Sequence, residues 1–191
     1  MSAALTLASG AGCATSHMRD LPEHIVFGAR PDVATVVFVR PSWFAAAVDH
    51  ILIDESGSFL GESQAQSRFA ATLTPGHHTL ILWVPAGNTD AVDATLAAGQ
   101  TYYVEVVPTM VNDRLIAIHP ASPEWSELPA WLSSTRPIDA DAAAGQASLD
   151  KHPTRVRDRV RRGLERIARY TRPEELLEHT LHPTDTAPLP R

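Results

Sequence analysis

Residues 67–107 constrain the fold more than any other part of the sequence, because short alternating runs of apolar and polar residues are separated there by turn residues. Alternation with a period of two residues is typical of strands with one buried face. Pro75-Gly76 fits a type II turn, and Gly99 marks a second turn. The run 77–84 is apolar on both faces, which predicts a central strand that is covered on both sides. The pattern favours a small antiparallel β domain.

Further runs rich in β-branched and aromatic residues extend this pattern in both directions, at 34–40, 48–54, 59–62 and 115–119. Short strands at such regular spacing are typical of a sandwich. We therefore expect a mainly β protein with C-terminal α structure. The β part is expected to be an antiparallel, immunoglobulin-like sandwich of about seven strands over residues 34–120. A helical segment of two or three helices is expected over 121–183, followed by a disordered tail at 184–191.

The strongest predicted helix runs from Pro153 to about Tyr170 and is amphipathic. Residues 151–172 carry nine basic residues against two acidic ones, whereas residues 1–122 carry five basic and eleven acidic residues. The apolar stripe of this helix must be buried, either on the acidic sandwich in cis, on another protein or on an anionic membrane surface. Its candidate interaction residues are Arg155, Arg162, Arg166 and Arg169.

Residues 1–33 are predicted to be a truncated lipoprotein-type leader followed by a polar tether. The uncharged stretch of small and apolar residues 1–12 precedes Cys13, which is the single cysteine of the chain. We expect Cys13 to be lipidated and the folded part to be anchored on the periplasmic face of a bacterial membrane. A start codon assigned too late would explain the missing basic part of the signal. The alternative is a disordered leader with an incidental cysteine on a cytoplasmic protein.

Three short motifs together resemble those of an uncharacterised bacterial envelope-lipoprotein β-sandwich domain of unknown function. The motifs are Arg40-Pro41 after the first strand, the hairpin Pro75-Gly76-His77-His78-Thr79, and the strand Gly99-Gln100-Thr101-Tyr102-Tyr103. Gln100 stands where that family more often has Lys. The resemblance covers residues 34–107 and implies a β-sandwich and an envelope location. It implies no activity, and it leaves residues 123–191 unexplained.

Catalytic and metal-binding patterns are weak throughout the sequence, so we expect no catalytic site, no metal site and no cofactor. His77 and His78 would point to opposite faces of a strand. Glu175, His179 and His182 have helical ligand spacing, but a solvated polar face is the more ordinary explanation. No serine lies in a nucleophile elbow, and no glycine-rich loop is placed to hold phosphate. A nucleic-acid partner is not expected.

Arg40, Trp43 and Phe44 form the most suggestive candidate binding patch, because an arginine that ends a strand beside exposed aromatic residues can recognise a partner. The alternative is an aromatic plug that closes one end of the sandwich, with Arg40 paired to an acid such as Asp54.

Three functions remain open at this point. The first is a structural or binding module of the cell envelope without catalytic activity, which uses a lipid on Cys13 and an envelope protein partner. The second is a soluble regulatory or interaction module that docks through the basic helix 153–170. The third is an enzyme of unrecognised type.

Overall fold

The structure is a computed structural model that describes residues 16–48, 50–84 and 87–186. These residues form eleven strands and four helices. The strands are β1 (Met18–Asp20), β2 (Ala34–Arg40), β3 (His50–Ile53), β4 (Phe59–Ser63), β5 (Ser67–Leu73), β6 (Gly76–Trp83), β7 (Thr89–Leu96), β8 (Thr101–Val107), β9 (Arg114–Ile118), β10 (Arg136–Ala140) and β11 (Thr180–Leu181). The helices are α1 (Glu124–Ser134), α2 (Ala142–Leu149), α3 (Pro153–Ile167) and α4 (Pro173–Glu178).

The strands form two mixed sheets, so the expectation of a purely antiparallel sandwich is wrong. The six-stranded sheet has the order β1-β10-β5-β2-β8-β9, and the five-stranded sheet has the order β11-β7-β6-β3-β4. β2 pairs in parallel with β8, β10 with β5, and β11 with β7. Parallel pairing needs a long connection between the two strands. In each of these pairs, several other strands or helices lie between the two partners in the chain.

The turn at Pro75 joins the two sheets and is not a hairpin turn as the motif suggested. β5 belongs to the six-stranded sheet and β6 to the five-stranded one. Gly76 has a φ of 131°, and Gly99, in the connection from β7 to β8, which also changes sheets, has a φ of 71°. Glycine adopts such values without the steric cost of a Cβ atom. The turn residues were identified correctly, but local chemistry does not determine which strand the chain pairs with next.

The main core lies between the two sheets, which therefore pack as a sandwich. Each sheet contributes alternate residues to one cluster of buried side chains, among them Val36, Phe38, Tyr102, Leu52, Leu80 and Leu82. The rings of Phe38 and Phe69 stack with their centroids 5.0 Å apart. The alternation that the sequence shows along β5, β6 and β7 therefore corresponds to real burial.

Three short strands come from segments that the sequence assigned to a tether and to helices. β1 lies in the predicted tether, whereas β10 and β11 lie in the predicted helical segment 121–183. β1 and β10 extend one sheet at its edge, and β11 extends the other sheet. These strands are too short to show a clear period of two in the sequence. They are stabilised by hydrogen bonds to strands that already form the edge of a sheet. Residues 187–191 of the predicted disordered tail lie outside the described residues.

The second face of the five-stranded sheet is covered by α2 and α3, as the double-faced pattern of β6 predicted. Ile81 and Trp83 pack against Leu149 of α2 and against Val156, Val160 and Ile167 of α3. Gly163 sits where a Cβ atom would lie 2.8 Å from the Ile81 side chain, so a glycine is needed for α3 to approach the sheet this closely. The basic helix therefore docks in cis, and it ends at Ile167 instead of Tyr170.

Helix α1 covers the outer face of the six-stranded sheet. Leu128 is fully buried with Val39 and Ile118. Glu105 of β8 lies on this same face, and burial, reinforced by the nearby carboxylate of Glu124, raises its pKa to about 7, with Arg114 opposing the shift.

We expect Glu105 to make the stability of the protein fall as pH rises from about 4.5 to 7. The folded state holds the Glu105 proton more tightly than the unfolded chain, so ionising the carboxyl costs folding free energy. Glu105→Gln should therefore raise the free energy of unfolding at pH 8 by about 2 kcal/mol and change it little at pH 5. Urea unfolding at the two pH values measures this. Glu127→Gln, at an exposed position of α1, is the control, and an equal pH dependence in both variants would contradict the expectation.

Candidate functional site

Several loops meet at one end of the sandwich, which we call the loop end, because β2 and β8 are parallel and finish at the same edge. The segment 41–48 follows β2, and 108–113 follows β8. The five-stranded sheet adds residues 84 and 87–88 beyond β6, since Ile51 at the start of β3 pairs with Trp83 at the end of β6. Asn88 fastens two of these loops: its side-chain amide donates to the Asp113 carbonyl at 2.7 Å and accepts from the Asp113 amide at 2.9 Å.

Arg40 is fully buried beneath the loop end, so the prediction that it belongs to a surface patch is wrong. Its guanidinium donates to the carbonyls of Phe44 and Ala45 at 2.9 and 2.8 Å, and to those of Val48 and Ser63 at 3.0 and 2.9 Å. The proposed pairing with Asp54 does not occur, since Asp54 binds the backbone of its own turn. Arg40 thus stabilises the conformation of the loop 41–48 from its buried side. One of the carbonyls it binds belongs to Ala45, whose φ of 53° is unusual for a residue with a Cβ atom.

His50 and Asp113 continue this buried polar system. The Nδ1 atom of His50 lies 2.9 Å from Arg40, and its Nε2 atom lies 3.3 Å from Asp113 Oδ2. Nδ1 also lies 3.0 Å from the Val48 carbonyl oxygen, so this nitrogen has both a donor and an acceptor beside it. Burial, together with the positive charge of Arg40, lowers the pKa of His50, which keeps the ring neutral. These groups position the loops and do not open onto a cleft.

Above this buried layer, five large apolar side chains are exposed at the loop end, and we call them the apolar tip. Two pairs come from neighbouring loops: Trp43 and Phe44 are 67% and 45% exposed, and Met110 and Val111 are 86% and 82% exposed. Val48 completes the set. The sequence prediction therefore placed Trp43 and Phe44 correctly at the surface, but it missed Met110 and Val111.

Beside the apolar tip lies a groove of about 330 Å³, which we call the arginine groove. One wall is α3 and the short segment after it, and the other wall is the loop end. The lining residues are Asn88, Thr89, Asn112, Arg161, Arg162, Glu165, Arg166 and Arg169. Three of the four predicted interaction arginines are brought together here. The fourth, Arg155, is exposed near the start of α3 and does not line the groove.

The arginine groove has a buried acid at its base that fixes α3 to the sheet. Asp90 of β7 is 1% exposed, and its Oδ1 atom accepts from the Tyr170 hydroxyl at 2.5 Å and from Arg166 Nε at 3.2 Å. Its Oδ2 atom accepts from the Leu115 amide at 2.9 Å. Burial and the negative charge of Asp90 raise the pKa of Tyr170, so its hydroxyl remains a donor. One carboxylate thus joins β7, β9 and the end of α3.

His179 is part of the same buried cluster, which corrects its assignment to a solvated helix face. Its ring is 3% exposed and stacks on Tyr170 at a centroid distance of 4.1 Å. Burial lowers the pKa of His179, with Asp90 opposing the shift.

The other histidines that the sequence singled out have separate partners. His77 binds Asp93 at 2.6 Å, and His78 binds Glu55 at 3.1 Å. Within residues 16–48, 50–84 and 87–186, no three His, Cys, Asp or Glu side chains are grouped so that they could hold a metal ion. Cys13, the predicted lipidation site, lies outside the described residues. Among the helices of the described part of the chain, none is both long and apolar enough to cross a membrane.

Comparisons with family models, with curated proteins and with solved structures found no match. The site therefore has to be interpreted from its own geometry, and the family resemblance of residues 34–107 remains an expectation.

One feature of the sequence indicates this site but played no part in predicting it. Neither the segment 41–48 nor the segment 108–112 contains any Asp, Glu, Lys or Arg, although such residues make up 20% of the chain. The loops as a whole are not uncharged, since Asp49 and Asp113 end them, so what the sequence marks is an uncharged apolar stretch within each surface loop. Their proximity, however, follows from the parallel pairing of β2 and β8, which the sequence did not predict.

Proposed function

We propose that this chain is a binding module of the bacterial cell envelope, held on the periplasmic face of a membrane by a lipid on Cys13 and without catalytic activity. The observation that carries the proposal is the apolar tip, because large exposed apolar side chains at one end of a domain are typical of interaction sites. The small motifs around Arg40-Pro41 and Tyr102-Tyr103 support the envelope location through their resemblance to an envelope-lipoprotein domain. An immunoglobulin-like sandwich is the fold class that we propose for the module.

Recognition is also what the polar chemistry of the loop end favours. His50 is fully buried and Asp113 is largely buried, and both are engaged with neighbours that fix their orientation. The exposed groups there are aromatic, aliphatic, amide and guanidinium groups, which bind a partner, and the one carboxylate that lines the arginine groove, Glu165, is paired with Arg161.

Metabolic labelling with a palmitate analogue tests the anchor. The protein expressed in a bacterial host should incorporate the label, and Cys13→Ala should lose it, because Cys13 is the single thiol of the chain. Labelled protein should fractionate with membranes. Equal labelling of both forms, or labelling of neither, would contradict the lipid anchor.

The second candidate is a soluble interaction module that docks through α3. The arginine groove favours it, since cationic side chains remain accessible on this helix after its apolar stripe has been buried on the sheet. Cell fractionation separates the two candidates, because the soluble module should have the same distribution with and without Cys13.

A further inference from the structure

We propose that the loop end docks on a membrane surface that contains anionic lipids. The apolar tip enters the interfacial region of the bilayer, and the arginine groove binds the phosphates of the headgroups. This inference deepens the proposed binding function by naming the partner, and it does not require a lipid on Cys13.

The apolar tip has the composition of a membrane-inserting surface. Met110 and Val111 are more than four-fifths exposed and Trp43 two-thirds exposed, so they would leave water on docking without any rearrangement of the core. The residues that carry the tip, 41–48 and 108–112, are uncharged, although each loop ends in an aspartate, Asp49 or Asp113. Insertion of the tip side chains themselves therefore desolvates no ionised group. Trp43 and Phe44 are aromatic, and tryptophan in particular prefers the headgroup level of a bilayer.

The arginine groove supplies the electrostatic part of the interaction. Arg162, Arg166 and Arg169 have the spacing i, i+4 and i+7, which places them along one face of the helix and its C-terminal extension. Arg162 binds Asp158 through Nε at 2.8 Å, and Arg166 binds Asp90 through Nε at 3.2 Å. In these two residues the ion pair uses Nε and leaves the terminal guanidinium nitrogens, which bind phosphate in a forked geometry, directed elsewhere. Arg169 differs, since one of its terminal nitrogens lies 3.9 Å from Glu165.

The groove and the tip are neighbours and can engage one surface together. Asn112 lines the groove and directly follows Met110 and Val111 in the chain. Thr109 ties this loop together, since its hydroxyl accepts from the amides of Val111 and Asn112 at 3.2 and 3.0 Å. A cationic groove that flanks a convex apolar tip matches the layered chemistry of an anionic membrane, where phosphates lie just above the acyl chains.

The start of the described chain lies near the same side of the molecule. Ser16 Oγ accepts from the side-chain amide of Gln64 at 2.7 Å, and Gln64 lines a second groove together with Trp43. A membrane is favoured over a protein as the occupant of the tip because the arginine groove beside it is cationic and complements anionic headgroups.

Vesicle co-sedimentation of the full chain carrying Cys13→Ser in every sample tests the inference without the lipid anchor. The probes are vesicles of phosphatidylcholine alone and vesicles that also contain phosphatidylglycerol. We expect binding to the anionic vesicles that weakens as salt is added, together with a blue shift of tryptophan emission that is lost in Trp43→Ser. Met110→Ser/Val111→Ser should weaken binding by about tenfold or more. Arg162→Gln/Arg169→Gln should weaken it by about tenfold.

Matched controls separate these sites from general surface effects. Val26→Ser removes an apolar side chain that is 87% exposed outside the apolar tip, and Arg155→Gln/Arg157→Gln removes two charges of the same helix outside the groove. Both controls should bind as the parent does, and circular dichroism should show every variant to be folded. The inference is overturned if the parent binds neither kind of vesicle, if the tip and control variants bind equally, or if the tip mediates only self-association or protein capture. Loss of vesicle binding with intact palmitate labelling would refute this inference and leave the proposed anchor standing.

Discussion

Asp90→Ala should lower the free energy of unfolding by about 3–5 kcal/mol, which is the range for removing one partner of a buried, hydrogen-bonded charge system. The substitution leaves the Leu115 amide, the Tyr170 hydroxyl and one edge of Arg166 without their common acceptor in the interior. Unsatisfied buried donors retain their full desolvation penalty. Because the acceptor joins β7, β9 and α3, loosening of α3 should accompany the loss of stability.

Urea unfolding and amide hydrogen exchange over residues 153–181 measure the two effects. Asp93→Ala is the matched control, since Asp93 lies on the same strand in an exposed pair with His77 at 2.6 Å and should cost less than about 1 kcal/mol. Tyr170→Phe removes one donor and should cost about 1–2 kcal/mol. A double-mutant cycle of Asp90→Ala and Tyr170→Phe should show strong coupling. Equal stabilities of the Asp90→Ala and Asp93→Ala variants would show that the carboxylate does not hold the fold together.

Arg40→Met should lower the free energy of unfolding by about 3–5 kcal/mol, because several carbonyl acceptors lose the one donor that they share. Methionine retains much of the apolar stem, so the loss reports on the guanidinium more than on packing. The buried carbonyl of Ser63 and the partly buried carbonyls of Phe44, Ala45 and Val48 would lose the guanidinium that now binds them. The loop 41–48 should then lose its shape, since the backbone of Ala45 is held at a positive φ by these contacts.

Two measurements distinguish this expectation from a general loss of stability. Denaturant unfolding gives the free energy, and acrylamide quenching of tryptophan in the folded state should increase as Trp43 becomes more mobile. Arg155→Met, at an exposed position of α3, is the control and should change neither quantity appreciably. An Arg40→Met protein with the stability of the control would mean that water replaces the guanidinium at these carbonyls.

Much of the fold was predictable because strands and helices leave local periodic signals. The alternation in β5, β6 and β7 placed their buried faces correctly, and the two apolar faces of β6 predicted a second layer that α2 and α3 supply. The candidate site was predictable only in fragments. Trp43 and Phe44 were identified as surface groups, whereas Arg40 was placed at the surface beside them although it is fully buried.

The sequence by itself determined the β-rich class, most strand positions, the turn residues and the amphipathic basic helix, since each depends on residues that are close in the chain. Only the tertiary structure decided which strands pair, because a turn such as Pro75-Gly76 has the same local chemistry whether the chain folds back or changes sheets. The parallel pairing of β2 with β8 then brought two loops together that are distant in the sequence. Burial of Asp90 was likewise decided there, because its partners Tyr170 and Leu115 come from segments far away in the sequence.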